Sequence, residues 1–312
     1  MAAAYLKREL ANFFLRYIRI LKTLYSLQTA KRRLFLYGQL LILGSTFKKN
    51  TMPESIEYVH YFDETIDPST LPRVFSNPFE INTHSICLRA AEKVQAHLSN
   101  QSVWVHNFGL SETHQETPII GKMFGVLVVK NSCNEIGFLA AFSGKLANAN
   151  HHAYFVPPVF DLLSEGGFLN LGMQELTRIN TEIEVLEKDP SGTHDEKIAQ
   201  RKKERKEHSN ALQHEIFNHY HFLNQAGEEK SLIDIFSSTN QRNPPSGAGE
   251  CAAPKLLQYA FLHNLKPIAL AEFWWGQSPK STTWKHGQYY PSCQEKCAPI
   301  LAHMLEGIEK EK

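Results

Sequence analysis

Two apolar runs separated by a short polar turn constrain this chain more than any other feature. Lys122–Lys130 (KMFGVLVVK) and Glu135–Ser143 (EIGFLAAFS) flank Asn131–Asn134. Short β-branched and aromatic segments bracketed by turn residues predict the two strands of a β-hairpin. Both runs are apolar on successive residues rather than alternate ones, so the hairpin must be covered on both faces. That demands helices packed on a small sheet, an α/β or α+β arrangement around one core. With 42% hydrophobic and 21% charged residues in 312, the chain can bury such a core.

The flanking sequence supplies the helices. Residues 52–84 are loop-rich, carrying Pro53, Pro68, Pro72 and Pro78. Residues 85–99 predict a helix with Ile86, Ala90, Val94 and Leu98 on one face. From 172 the character changes: Met173, Leu176, Ile179, Ile183 and Leu186 form a narrow coiled-coil type seam. Asp189-Pro190-Ser191-Gly192 breaks it, and a second helix is predicted from about His194 to Gln225, with Ile198, Leu212, Ile216 and Leu223 inward. Cys251–Leu262 reads as a helix, Lys266–Trp274 (KPIALAEFW) as a strand, and Cys297–Leu305 as a further helix. The expected architecture is a small mixed sheet flanked by helices, with a long helical hairpin inserted. Its parts are a leader 1–51, a segment 52–171 with the β-hairpin, the insertion 172–230, and a closing α-β-α segment 231–312.

Charge is uneven along the chain. The net value of +1 hides a leader, residues 1–51, with ten Lys/Arg against one acid, Glu9; residues 52–312 hold 23 Lys/Arg against 31 acids. The acidic body alone gives no electrostatic reason to bind nucleic acid. Three readings of the leader stay open: a basic amphipathic helix on an acidic membrane or RNA surface, a targeting segment, or sequence ahead of a true start at Met52. Its longest apolar run, Leu34–Leu43, is about half of the ~18 residues a membrane span needs, so no transmembrane segment is expected. Five cysteines in so long a chain do not form a disulfide framework, which points to a reducing, cytoplasmic setting.

Three of those cysteines share a context. Gly-Glu-Cys-Ala-Ala-Pro-Lys (249–255) places Cys251 at a helix start, and Tyr-Pro-Ser-Cys-Gln-Glu-Lys-Cys (290–297) places Cys293 and Cys297 where the next helix begins. A helix N-terminus favours the thiolate. Three such thiolates are candidate ligands for zinc, with a fourth position open; the alternative is three ordinary buried cysteines. The order hairpin, Cys helix, strand, Cys pair resembles the zinc-dependent nucleobase deaminases, particularly their Cys-Ala-Glu-Pro-Lys branch. Two departures matter. Ala253 stands where that likeness requires the proton-shuttling Glu, and the pair is spaced Cys-x-x-x-Cys. Without that Glu a zinc-bound water lacks its acid/base partner. Glu250 lies on the other side of Cys251. His286 is a candidate fourth ligand or substrate contact, with an ordinary surface histidine as the alternative. His106, His114, His151 and His152 show no ligand spacing.

RNA-contact candidates are Lys202, Lys203 and Arg205 in the run QRKKERKEH (200–208), and the base-stacking aromatics Trp274 and Trp275 near Tyr289-Tyr290. The plainer alternatives are a solvated helix face and ordinary packing.

The string NPPSGAGECAAPKLLQYAFLHNLKPIALAEFWWGQSP (243–279), followed by HGQYYPSCQEKCAPILAHML (286–305), resembles the N-terminal extension ahead of the catalytic domain in some bacterial RluA-type RNA pseudouridine synthases. The likeness extends over roughly residues 53–307, including the 122–143 hairpin and the helical insert. It implies an RNA-modification role, aiding uridine isomerisation in tRNA or rRNA beside a synthase catalytic domain. That domain carries His-Arg-Leu-Asp in the family, and no Arg-Leu-Asp occurs in this sequence. No catalytic residue is carried over, and pseudouridylation by this chain alone is not expected. A structural adaptor is the remaining alternative.

Overall fold

The structure is a computed structural model that describes residues 57–111, 117–162, 167–189, 192 and 194–309. The basic leader and His114 lie outside the described residues. The described residues belong to one compact unit, a mixed α+β fold. The predicted hairpin forms as β2 (Lys122–Lys130) and β3 (Ile136–Phe142), paired antiparallel. Asn131 closes the turn by accepting the N–H groups of Cys133 and Glu135 at its side-chain oxygen, 2.9 Å each. β6 (Lys266–Trp275) pairs along the other side of β2. Two-residue strands β1 (His60–Tyr61) and β7 (Tyr289–Tyr290) finish the edges, giving the order β1-β3-β2-β6-β7. Every described pairing is antiparallel, which corrects the expected mixed sheet. The β2–β6 ladder shifts register between Val128 and Val129, where Pro267 stands opposite. Proline has no N–H to donate, and the bulge absorbs the missing bond.

Both sheet faces are covered, as the unbroken apolar runs require. On one face Phe124, Val126, Val128, Phe138 and Phe142 pack against α1 (Ser85–Asn100). The helix presents Ile86, Ala90, Val94 and Leu98, all buried. On the other face Leu127, Val129, Leu139 and Leu270 pack against α5 (Ala252–Leu262) and α6 (Ala298–Met304). Side chains alternate between faces along each strand, so one run feeds two cores. Helix α5 is enclosed on all sides, with every residue from Ala252 to Ala260 buried.

Between β3 and α5 the chain forms α2 (Phe168–Lys188), α3 (Asp195–His219), β4 (His221–Leu223), β5 (Glu229–Ser231) and α4 (Leu232–Ser237). Helices α2 and α3 pack on each other. A methyl group on Gly172 would stand 2.6 Å from Leu212 Cδ1, so the glycine sets their close approach. Ile179 and Ile183 are buried, but Met173, expected in the same seam, is exposed. It lies one residue past Gly172, about 100° round the helix from the contact face. Ion pairs Arg201–Glu182 (3.1 Å) and Lys202–Glu187 (2.7 Å) bridge the two helices.

The predicted second helix overruns the observed one. α3 stops at His219, and residues 221–223 pair with β5 instead of continuing. The cause is the turn at Asn224–Gly227. Asn224 accepts the Glu228 N–H at 2.9 Å, and Gly227 takes φ +81°, so the chain reverses. No described helix is long and apolar enough to cross a membrane.

Candidate functional site

The loop Gly247–Glu250 delivers Cys251 to the start of α5. Gly247 and Gly249 take φ of +75° and +90°, backbone that other residues avoid. Gly249 also presses on Tyr220 and Phe222, where a methyl group would stand 2.8 Å from the Tyr220 ring. Cys251 is the N-cap of α5, and Cys297 is the N-cap of α6. A turn from Cys293 leads into α6: the carbonyl of Cys293 accepts the N–H groups of Cys297 (3.2 Å) and Ala298 (3.1 Å). The three sequence-predicted cysteines lie near one another, and the Cys297 thiol interacts with both Cys251 and Cys293. Cys297 is buried, Cys251 half-buried and Cys293 exposed.

Their protonation divides. The Cys297 bond, then the N–H groups of Lys296, Glu295 and Cys297, pull the Cys293 thiol down to about 5. Its bonds with Cys251 and Cys293, then burial, push Cys297 up.

A carboxyl group that sequence reading missed stands beside them. Glu272 of β6 is buried and faces α5 and α6 rather than α1. It accepts the Ser292 hydroxyl at 2.7 Å and the N–H of Ala253. Electrostatic interactions join it to Cys293 and Cys297. Burial pushes its carboxyl up to about 7, against both hydrogen bonds. The room for it comes from small neighbours: Gly125 is its partner on β2, and a methyl there would stand 2.9 Å from Ala252 Cβ. Thus Ala253, noted for lacking a carboxylate, offers its backbone N–H to one from the adjacent strand. The available signal was a lone acid in the apolar strand KPIALAEFWW.

A second polar layer surrounds Glu250. Lys255, buried in α5, donates to the carbonyls of Phe142 (2.9 Å) and Gly144 (3.3 Å). Burial brings its amine down to about 8, opposed by Glu250 and Cys251. Glu250 also interacts electrostatically with Tyr220 and Lys122. Lys255 too escaped the sequence reading, although a lysine inside a largely apolar helix was visible there.

The other predicted residues go elsewhere. His286 accepts the Gly276 N–H at 3.1 Å and packs its ring edgewise on Trp275. Trp275 is buried, so it offers no face for base stacking; the inward direction of alternate β6 side chains decides this. Trp274 is half-buried and stacks on Trp284, centroids 5.4 Å apart, with its indole nitrogen buried and unpartnered. Lys202 pairs with Glu187 and Lys203 with Glu207 (3.9 Å). Arg205 is exposed and lines a groove with Lys202, Lys206, Glu184 and Glu187.

The donor chemistry of the thiol cluster suits a thiophilic divalent ion. As the side chains stand, no group of three or more His, Cys, Asp or Glu among the described residues is arranged to hold a metal. No protein-family model, curated protein or solved structure matches this chain.

Proposed function

We propose that this chain is an RNA-modification module of the kind found ahead of the catalytic domain in RluA-type pseudouridine synthases. In this reading it is cytoplasmic. It helps a synthase domain select or hold tRNA or rRNA for uridine isomerisation and does not isomerise uridine by itself. One observation carries the reading: the stretch bearing the likeness, 243–305, is also the stretch that builds the candidate site, from the Gly247–Glu250 loop to Cys297 and α6. The α2–α3 pair acts as an inserted arm whose Lys202, Lys203 and Arg205 meet RNA phosphates. Those cations stand among acids such as Glu184 and Glu187, so the contact is few-phosphate and salt-sensitive. The test is binding of tRNA and rRNA fragments, with and without a synthase catalytic domain. Charge reversal of Lys202, Lys203 and Arg205 is expected to weaken binding and flatten the salt dependence by about one unit of slope per lost contact. Binding unchanged by the triple reversal, or pseudouridine formed by this polypeptide alone, would overturn the reading.

A second reading is favoured by the meeting of Cys251, Cys293 and Cys297. Here the core is deaminase-like, and the three cysteines hold zinc. Zinc would supply a Lewis-acidic, cross-linking centre between α5 and α6. Metal content of the purified chain tests it: one zinc per chain is expected, and none would remove it.

A further inference from the structure

We propose that the cleft between α4 and α6 is a binding site for a small organic cation, an ammonium group carried on an apolar body, with His303 and Glu306 as the groups that orient it. The site needs neither the RNA reading nor the zinc reading.

The cleft encloses about 720 Å³, within the range of sites that hold small molecules. Ile235 of α4 and Pro299 of α6 give it apolar walls, and Leu305 and Ile308 line it beyond the helix end. Backbone fixes that last wall. Gly307 takes φ +80° and turns the chain after α6, and the Ile308 N–H bonds to the Leu305 carbonyl at 3.2 Å. The next carbonyl, of Glu309, accepts the Phe75 N–H at 2.9 Å.

His303 is the observation that points to a ligand. It is 5% exposed and lines the cleft, yet its Nδ1 has no hydrogen-bond partner. The other ring nitrogen, Nε2, stands 3.0 Å from the Phe222 carbonyl. A carbonyl only accepts, so Nε2 carries a hydrogen, and the neutral ring has its lone pair at Nδ1. A buried polar atom in this condition calls for a partner. Glu306 Oε2 lies 3.7 Å away, too far for a hydrogen bond, and it too is an acceptor. A donor fits between them: one ammonium nitrogen reaches two acceptors so spaced with bonds of ~2.9 Å to each. Nδ1 is sealed from solvent, and the exposed Glu306 beside it is the side chain that swings aside as the ligand enters.

The rest of the lining is also poor in donors. Ser238 and Thr239 spend their hydroxyl hydrogens on the Ile235 and Phe236 carbonyls, at 3.0 and 2.8 Å, and so remain as acceptors. Asp234 and Glu306 set two carboxylates against the single ammonium of Lys230, which already pairs with Glu306 at 3.7 Å. An anion entering the cleft meets repulsion and an engaged lysine; a cation meets acceptors that lack hydrogens. Apolar walls beside them suit a hydrocarbon body.

The full chain is titrated with phenethylammonium at about pH 8, where ordinary imidazoles are neutral and primary amines charged, and in parallel with hydrocinnamate, its anionic counterpart. Calorimetry is expected to find one saturable site for the cation and binding of the anion weaker by about 10-fold or more. Nitrogen NMR should show the His303 Nδ1 resonance shifting as its lone pair takes a hydrogen bond. His303→Gln places an amide N–H near Nε2, keeping the Phe222 bond, and takes away the Nδ1 acceptor; Glu306→Gln removes the charge. Each should weaken cation binding about 10-fold. Ala302→Trp, on an exposed part of the wall, should fill the cleft and abolish binding. The Glu306 and Ala302 changes lie at the surface, so their readings stand even if the His303 variant fails to fold. No saturable binding of the cation by wild type overturns the proposal. So does an anion bound as tightly as the cation, or cation affinity untouched by Glu306→Gln and Ala302→Trp.

Discussion

Lys255 and Lys202 each have a carboxylate nearby, yet they occupy opposite kinds of protein. Lys255 sits inside a helix buried on every side, donating to two backbone carbonyls at 2.9 and 3.3 Å. Lys202 sits on the α2–α3 pair, exposed, and bonded to Glu187 at 2.7 Å. In the sheet core, polar groups are few and most have a specific partner: Ser292 to Glu272, Gln258 to the Leu223 N–H, His303 Nε2 to the Phe222 carbonyl. On the helical pair they are many, solvated and interchangeable. A buried group that loses its partner bears the full desolvation cost, whereas an exposed ion pair is worth little because water replaces it. The two regions should therefore respond very differently to equally drastic substitutions.

The largest effect is expected from Lys255→Met. It fills the same channel but strands the Phe142 and Gly144 carbonyls, for a loss of about 1–3 kcal/mol in unfolding free energy. Urea denaturation measures it, and a variant as stable as wild type would break the comparison on its core side. Next comes Gly172→Ala. Its methyl has no room beside Leu212; overpacking costs about 1–3 kcal/mol and the gain in helix propensity returns about 1. Hydrogen exchange should quicken over 168–219 and stay unchanged in 122–143. Equal loosening of both would mean that the helical pair and the sheet unfold as one.

A pH effect sharpens the comparison further. His60 stacks on Tyr154 and bonds its carbonyl at 2.9 Å; burial holds the imidazole below its ordinary value despite that bond. The unfolded chain then binds a proton more readily than the folded one. Stability from neutral His60 is complete above about pH 6.5 and is lost as pH falls through the lower folded value. His60→Gln should reduce the slope of stability against pH below 6.5, leaving the share due to His97, His106, His263 and His286, which are also lowered. A slope identical to wild type would remove His60 from the account. The smallest effect is expected at Lys202→Glu, where loss of one exposed pair should change stability by no more than about 0.5 kcal/mol. A change of several times that would show the helical pair to be as demanding as the core.

Much of the core was legible because its signals are long and periodic. The Lys122–Lys130 and Glu135–Ser143 runs announced a doubly covered hairpin, and Ile86, Ala90, Val94 and Leu98 announced the helix on one face. Short elements were not legible. β1 and β7 are two residues each, and β4 with β5 is made by a turn at Asn224–Gly227 rather than by apolar pattern. The site was half legible. Cysteines near helix starts are visible in a string; Cys297 interacts with Cys251 and Cys293, but the three are not arranged to hold a metal. Glu272 was missed because its neighbours are supplied by α5 and by Ser292, far along the chain. Trp275 was misjudged because face assignment depends on register with Lys122, which no local pattern records.

The middle of the sheet joins strands that the ribosome makes far apart. β2 ends at Lys130, and β6, its longest partner, begins at Lys266. Until residue 275 has been synthesised, one edge of the apolar β2 hangs open on the nascent polypeptide. Long-range pairing of this sort slows folding and leaves sticky intermediates. The β2–β3 hairpin is thus the segment a chaperone would be asked to guard, and the loop through α2 and α3 sets how long it must wait.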